Sequence, residues 1–490
     1  MASLSARGTP GACRTFKTFS DRAVRLCLVK TTATSSKSLA TTIAAVGLML
    51  FSMFFGAGNL IFPPMLGVEA GEHFTPAIIG FLTTGVALPV ITVIAVAISG
   101  SGVRDLASRA GAVFGLIFAL VVYLSIGALY GVPRAAAIGY ELGVESTFDL
   151  SGPWWRLLGT VIFFAVAYAV ALWPGRVIDT VGKFLTPALL VLLTLLVAIS
   201  FFDLHEPPAP ADETFTHSPF VAGISEGYFT MDSVAALAFA IIVVSAFSTR
   251  GVTNHRSVIK FTAVAGAIAG LFLTLVYLGL GYVGTVMPDK ASYEDGADLL
   301  SSAAHLTLGP YGEAVFSLIV LLACLTTVVG LTTATSSFFH DLVPAVSYRW
   351  WATILTVVGL LLANLGLTKI LAVSGPIIGL IYPPAIALIA MTFAHLPKRR
   401  IQLPLAYRTA VTVAFAFSLL NLLSGLNVGH LNGPVQWLSD HLAWIPLMED
   451  GLGWLLPTII LTAIAYAVDV SRGIPANKPD NHEVEAMVAV

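Results

Sequence analysis

Of the 490 residues, 57% are hydrophobic and 11% charged, with 25 Lys plus Arg against 27 Asp plus Glu. A soluble domain carries about 25% charged residues, so this chain has too little charge to cover a wetted surface. A soluble enzyme, a secreted disulfide scaffold and a disordered regulator are therefore excluded. The near balance of charge leaves no basic face for nucleic acid. Three cysteines, Cys13, Cys27 and Cys324, are too few and too scattered for a disulfide frame or a metal cluster. The composition is that of an all-α polytopic membrane protein.

Residues 1–40 are basic and rich in Ser and Thr, without an apolar core of signal-peptide length, and read as a disordered cytoplasmic tail. Beyond them, apolar runs long enough to cross about 30 Å of hydrocarbon occur at 41–66, 76–99, 112–133, 157–173, 184–202, 228–249, 261–287, 314–339, 350–363, 370–392, 409–424 and 454–468. That is twelve spans, the ninth and eleventh short. Each must be helical, because lipid offers a spanning backbone no partner except itself. With both ends inside, 21 of the 25 basic residues fall in the tails and inner loops. Basic loops stay on the side of synthesis, which sets both termini in the cytoplasm of a cell membrane. The outer loops hold 18 of the 27 acids.

Spans one to five (41–202) and six to ten (228–392) cover 162 and 165 residues. Because five is odd, the second block enters from the opposite face, which is the topology of an inverted repeat in secondary transporters. Residues 409–468 add spans eleven and twelve, and 469–490 form a second cytoplasmic tail.

Span one holds Gly56-Ala57-Gly58-Asn59 and then Pro63-Pro64. Glycine costs a helix about 1 kcal/mol relative to alanine, and proline removes a donor and clashes one turn back. The reading is a helix broken at membrane depth, with N–H groups free for an anion and carbonyls free for a cation. A close-packing glycine face is the alternative, and it leaves the prolines and Asn59 unexplained. Span six has no central glycine or proline and reads as unbroken. Its Asp232 is the one charged residue inside any span as drawn. It sits near the expected outer end, where a carboxylate at a helix N-terminus and a functional acid are equal readings.

Span eight crowds hydroxyls at Thr332, Thr333, Thr335, Ser336 and Ser337. Such hydroxyls commonly bond back to their own helix, and the adjacent Thr332 and Thr333 also suit a hard cation. Span ten repeats the proline signature at Ser374-Gly375-Pro376 and Tyr382-Pro383-Pro384, as a hinge, a gate or a simple kink. No His pair has zinc-like spacing, and no nucleotide or nucleophile motif occurs. Transport by this chain draws on an ion gradient or is passive.

The segment Phe51–Pro64 resembles the branched-chain amino acid:cation symporter family (BrnQ-type carriers). Supporting matches are Tyr123–Gly127, Val132-Pro133-Arg134, Gly227–Asp232 and Gly330–Thr333. The resemblance covers nearly all twelve spans and implies a LeuT-type fold and import of leucine, isoleucine and valine with Na+. On that resemblance the substrate carboxylate meets backbone N–H groups of Gly56, Ala57 and Gly58. The sodium ion takes Ser52, Phe55, Val329, Thr332 and Thr333. The side-chain pocket draws on Tyr123 and Ile126 of span three and on Ala236, Ala238, Phe239 and Ala240 of span six. Asn59 and Asp232 are further candidates, outside the substrate and sodium sets. Some relatives carry a span-six hydroxyl for a second sodium ion where this chain has Val234, which counts against two ions.

The expected function is Na+-coupled import of branched-chain amino acids by alternating access, with Na+ as coupling ion, membrane lipid as surroundings and no obligate protein partner. A proton-coupled carrier using Asp232 is the runner-up, and an amino acid sensor or channel is the reading from another class.

Overall fold

The computed structural model describes residues 36–475 apart from 57, 101, 149, 253, 289–292, 294, 399, 426–431, 449 and 450. For residues 36–38, 367–369, 371–375 and 432 it describes the backbone alone. Two units separate, Met1–Thr42 and Ile43–Val490. Of the first, the described part is the opening turns of a helix that begins at Ser36, inside the tail expected over 1–40. The second carries the remaining fold and its core.

The elements that build the site are, in chain order, α1 (Ser36–Phe54), α2 (Gly58–Ala70), α3 (Ala112–Leu124), α4 (Gly131–Tyr140), α5 (Pro219–Phe229), α6 (Asp232–Ser248), α7 (His255–Val286), α8 (Gly312–Leu342) and α9 (Leu367–His395). Each of the twelve stretches read as spans overlaps helical backbone among the described residues, with interruptions inside the first and the sixth. By length and composition, nine helices among the described residues can cross a membrane, and α5 with α6 makes a tenth as one bent span. Two shorter apolar helices, Leu39–Phe54 and Tyr348–Ala363, stand beside them.

Burial separates inner from outer helices. Of the most apolar stretch within Gly296–Leu342, 61% is buried, against 22% within Leu455–Arg472. The outer helices expose Trp154, Ile162, Val191, Leu271 and Ile464, the surface expected of side chains facing lipid. Close approach of the inner helices depends on glycine. A methyl group at Gly67 of α2 would come within 2.0 Å of the Gly281 carbonyl oxygen of α7, and one at Gly223 of α5 within 1.9 Å of the Ala77 carbonyl oxygen. In lipid, where apolar contact alone drives little association, such close packing holds helices together.

One expectation about breaks needs correction. Pro63 and Pro64 lie inside α2, and Pro376, Pro383 and Pro384 lie inside the continuous α9; proline deletes one N–H but fixes φ near a helical value, and neither helix ends there. Span six, read as unbroken from 228, instead starts at Pro219 and divides between Phe229 and Asp232 with a bend of 46°. Asp232 therefore sits at the middle of that crossing and not at its outer end.

Candidate functional site at two interrupted helices

In α1 the hydrogen-bond ladder stops where the glycines begin. Phe55 N–H still bonds to the Phe51 carbonyl at 2.8 Å, but Gly56 N–H turns back to Phe54 at 2.7 Å. A helix end leaves its last four carbonyls without intrahelical donors, and other side chains supply three of them. The Thr326 hydroxyl of α8 donates to the Ser52 carbonyl at 2.8 Å, and Thr327 donates to Met53 at 3.3 Å. The Asn59 side-chain amide donates to Phe54 at 2.7 Å. Helix α2 restarts at Gly58, and Asn59 N–H bonds to the Gly56 carbonyl at 3.1 Å.

The second interruption is built differently. Met231 adopts a left-handed backbone with φ of 63°, uncommon for a residue with a side chain. The Thr230 hydroxyl donates to the Gly227 carbonyl at 2.8 Å and closes the end of α5. Asp232 opens α6 and is 5% exposed. Its Oδ2 accepts from Asn59 Nδ2 at 2.8 Å and from the Tyr277 hydroxyl at 3.4 Å. Asn59 thus ties one break to the other.

Span three supplies a third irregularity. A widened turn over Ser125–Leu129, with Gly127 at ψ −114°, separates α3 from α4. It leaves Tyr130 and Arg134 on the first turn of α4 facing the breaks. Arg134 Nη1 donates to the Tyr130 hydroxyl, and that hydroxyl reaches the Met231 sulfur at 3.7 Å. A methyl group at Gly58 would lie 3.5 Å from Arg134 Nη2, so the guanidinium stands beside the start of α2.

These elements enclose a cavity of about 90 Å³. Its polar wall holds Gly56, Gly58, Asn59, Thr230, Asp232 and Thr327, with Arg134 half-buried across it. Its apolar wall holds Phe54, Ile126, Val234, Leu331 and Ile378. One cation and one anion, in a pocket otherwise lined by peptide groups and apolar side chains, fit a small zwitterion with an aliphatic side chain. Among the described residues no three His, Cys, Asp or Glu side chains converge as metal ligands. The oxygens that do converge are carbonyls of Ser52 and Ala323, 2.8 and 3.0 Å from Thr326 Oγ1.

Of the residues anticipated from the sequence, Gly56, Gly58, Asn59, Ile126 and Asp232 line the cavity. Ala57 lies outside the described residues. Tyr123 is buried away from the cavity, with its ring stacked on Phe338 at 4.1 Å. Ala236, Ala238, Phe239 and Ala240 are buried along α6 beyond it, and Phe239 packs on Phe54 at 5.9 Å. The Ser52 carbonyl accepts from Thr326 of α8, and Phe55 caps the α1 ladder. Thr326 and Thr327 meet the break, whereas Val329, Thr332 and Thr333 lie further along α8, the two threonines by six residues, or about 9 Å of helix. Sequence reasoning also passed over Tyr130, Arg134 and Tyr277. Arg134, one residue past the end of span three as drawn, had one signal: it is a charge followed directly by Ala-Ala-Ala-Ile.

A family model described as branched-chain amino acid transport protein matches residues 39–472. A branched-chain amino acid permease, BrnQ, of Corynebacterium glutamicum is 43% identical over 440 residues, 89% of this chain and 96% of its own. The BrnQ permease of Bacillus subtilis is 38% identical, covering 89% and 99%. The branched-chain amino acid transport system 2 carrier protein of Pseudomonas aeruginosa is 39% identical, covering 88% and 97%. Among solved structures, a nucleobase-cation-symport-1 family transporter in a closed conformation aligns with a TM-score of 0.59 at 16% identity, covering 91% and 96%. A manganese transporter of Eremococcus coleocola aligns at 0.54 and 14%, covering 89% and 97%. At those identities the structures show a shared fold alone.

Proposed function

Because the chain belongs to the branched-chain amino acid transport protein family, and is thus a multi-pass membrane transporter and not an enzyme, we propose that it imports leucine, isoleucine and valine together with Na+ by alternating access. The observation that carries this reading is the pair of interrupted helices joined by Asn59 around one cavity. The substrate carboxylate is taken by the N–H groups at Ala57 and Gly58, by that of Gly56 once it leaves the Phe54 carbonyl, and by Arg134. The ammonium faces Asp232, and the branched side chain lies against Phe54, Ile126, Val234, Leu331 and Ile378. Buried charges are tolerated when each finds a partner, and a zwitterion gives one to Arg134 and one to Asp232 at once.

Na+ binds the carbonyls of Ser52, Phe55 and Ala323 with the hydroxyls of Thr326 and Thr327. In the present arrangement the Thr326 hydroxyl donates its proton to the Ser52 carbonyl. Rotation about its Cα–Cβ or C–O bond turns a lone pair toward an ion at the same place. The ion then orders the same backbone whose other end receives the carboxylate, which couples the two sites. The residues 41–202 and 228–392 act as inverted repeats, with both termini in the cytoplasm, and move against each other around this midplane site.

The burial of Asp232 between Asn59 and Tyr277 favours a second reading, in which Asp232 carries a coupling proton. Reconstitution into proteoliposomes separates the two. With an imposed Na+ gradient and no pH gradient, uphill leucine accumulation is expected. Accumulation driven by a pH gradient alone supports the proton, and binding without flux marks a sensor.

A further inference from the structure

A second cavity, of about 340 Å³, lies at the other end of α6 and shares no lining residue with the first. Between the two, Phe54 meets Phe239, and a methyl group at Gly330 would come within 2.6 Å of the Met53 side chain and 3.2 Å of the Phe239 ring. The chain is therefore closed between them. The second cavity takes its apolar wall from Ile178, Ile241 and Ile242. Its polar wall comes from Ser245 and Thr249 at the end of α6, and from Thr333, Ser337, His340 and Asp341 on α8.

Three of these six polar groups are already engaged. Thr249 donates to the Ser245 carbonyl at 2.9 Å, Ser337 to the Thr333 carbonyl at 2.8 Å, and a His340 ring nitrogen bonds the Val346 carbonyl at 2.9 Å. The Thr333 hydroxyl is different. Its residue is 1% exposed, and the group beside its hydroxyl is the Tyr348 oxygen, whose own proton goes to the Ala171 carbonyl at 2.6 Å. A ligand in the cavity offers the Thr333 hydroxyl a stronger acceptor than a phenol oxygen. Asp341, two turns further along α8, forms no ion pair among the described residues.

We propose that this cavity is a second binding site for the branched-chain amino acid, separate from the site at the breaks and resting on the transport reading above. The wall of three isoleucines receives the aliphatic side chain, Asp341 holds the ammonium, and the Thr333 hydroxyl donates to the carboxylate. A single carboxylate with one imidazole beside it suits neither a bare anion nor a multivalent cation, and it complements a zwitterion. Arg176, Lys183, Arg250 and Arg349 fall in the sequence between the spans at this end of the bundle, the end that basic residues mark as cytoplasmic. The site is thus the last station before release, and amino acid accumulating inside refills it.

Equilibrium binding of radiolabelled leucine to the purified full chain tests the proposal. Two leucines per chain are expected at saturation. Ser337→Trp, which fills the cavity, is expected to leave one, and that retained leucine shows that the variant is folded. Gly58→Leu removes the leucine at the breaks and also leaves one, now weakened about tenfold or more by Asp341→Asn, the weight of a hydrogen bond to a charge. One leucine per chain in the unmodified protein, lost in Gly58→Leu and kept in Ser337→Trp, overturns the second site and leaves the transport reading intact. No leucine bound to the unmodified protein overturns both.

Discussion

The break between α1 and α2 and the break between α5 and α6 do the same work by opposite means. In the first, glycines make the interruption cheap, and three borrowed donors, Thr326, Thr327 and Asn59, satisfy the carbonyls it frees. In the second, no glycine sits at the turn. A left-handed Met231 is held by Thr230 behind it and by Asp232 ahead, which is clasped in turn by Asn59 and Tyr277. One break is permitted by its own residues, and the other is imposed by its neighbours.

That contrast can be broken most severely at the first helix. Gly58→Leu puts a branched side chain between Phe62 and Arg134, where a methyl group already lies 3.5–3.6 Å from both. Leucine uptake in proteoliposomes is expected to fall to background, and full activity would reduce the segment to packing. Asp232→Asn keeps the shape but removes the anion. Losing one partner of a buried charge pair costs about 2 kcal/mol or more, so half-saturation by leucine is expected to rise at least about thirtyfold. Unchanged affinity would detach Asp232 from the ammonium.

A finer comparison lies within α8. Thr326→Ala removes a hydroxyl ligand of the proposed ion, an interaction set at about 1 kcal/mol. The Na+ concentration for half-maximal uptake is expected to rise about fivefold. Thr332→Ala, six residues on, is expected to leave it unchanged; the reverse result would restore the later triplet as the ion site. The smallest effect belongs to the second turn. Met231→Gly relieves a left-handed backbone costing about 1 kcal/mol and gives up the Tyr130 contact. Thermal unfolding in detergent is expected to move little in either direction. A large loss of stability would mean that the Met231 side chain, and not its backbone, holds the bend.

The all-α membrane architecture was legible from composition and run length alone, because lipid permits no other way to satisfy the backbone. The first break was legible for a local reason, since glycine acts on its own residue's backbone. The prolines left a hinge, a gate and a kink open because their effect depends on whether the surroundings tolerate a lost N–H, and in α2 and α9 the helix continues through them. Leu325-Thr326-Thr327 and Leu331-Thr332-Thr333 are the same triplet twice. Nothing local separates them, and only the position of α1 against α8 selects the first.

What the amino acids determined unaided is the medium the chain lives in, the helices it must form there, and the place where the first of them fails. Those follow from solvation and from the conformational range of single residues, both of which act within a few positions of the chain. The tertiary structure decided which hydroxyls meet the freed carbonyls, that Met231 turns left-handed, and that Asp232 lies within reach of a residue 173 positions away. Each of these is a partnership between distant segments, and a buried polar group acquires its partner only when the helices have packed.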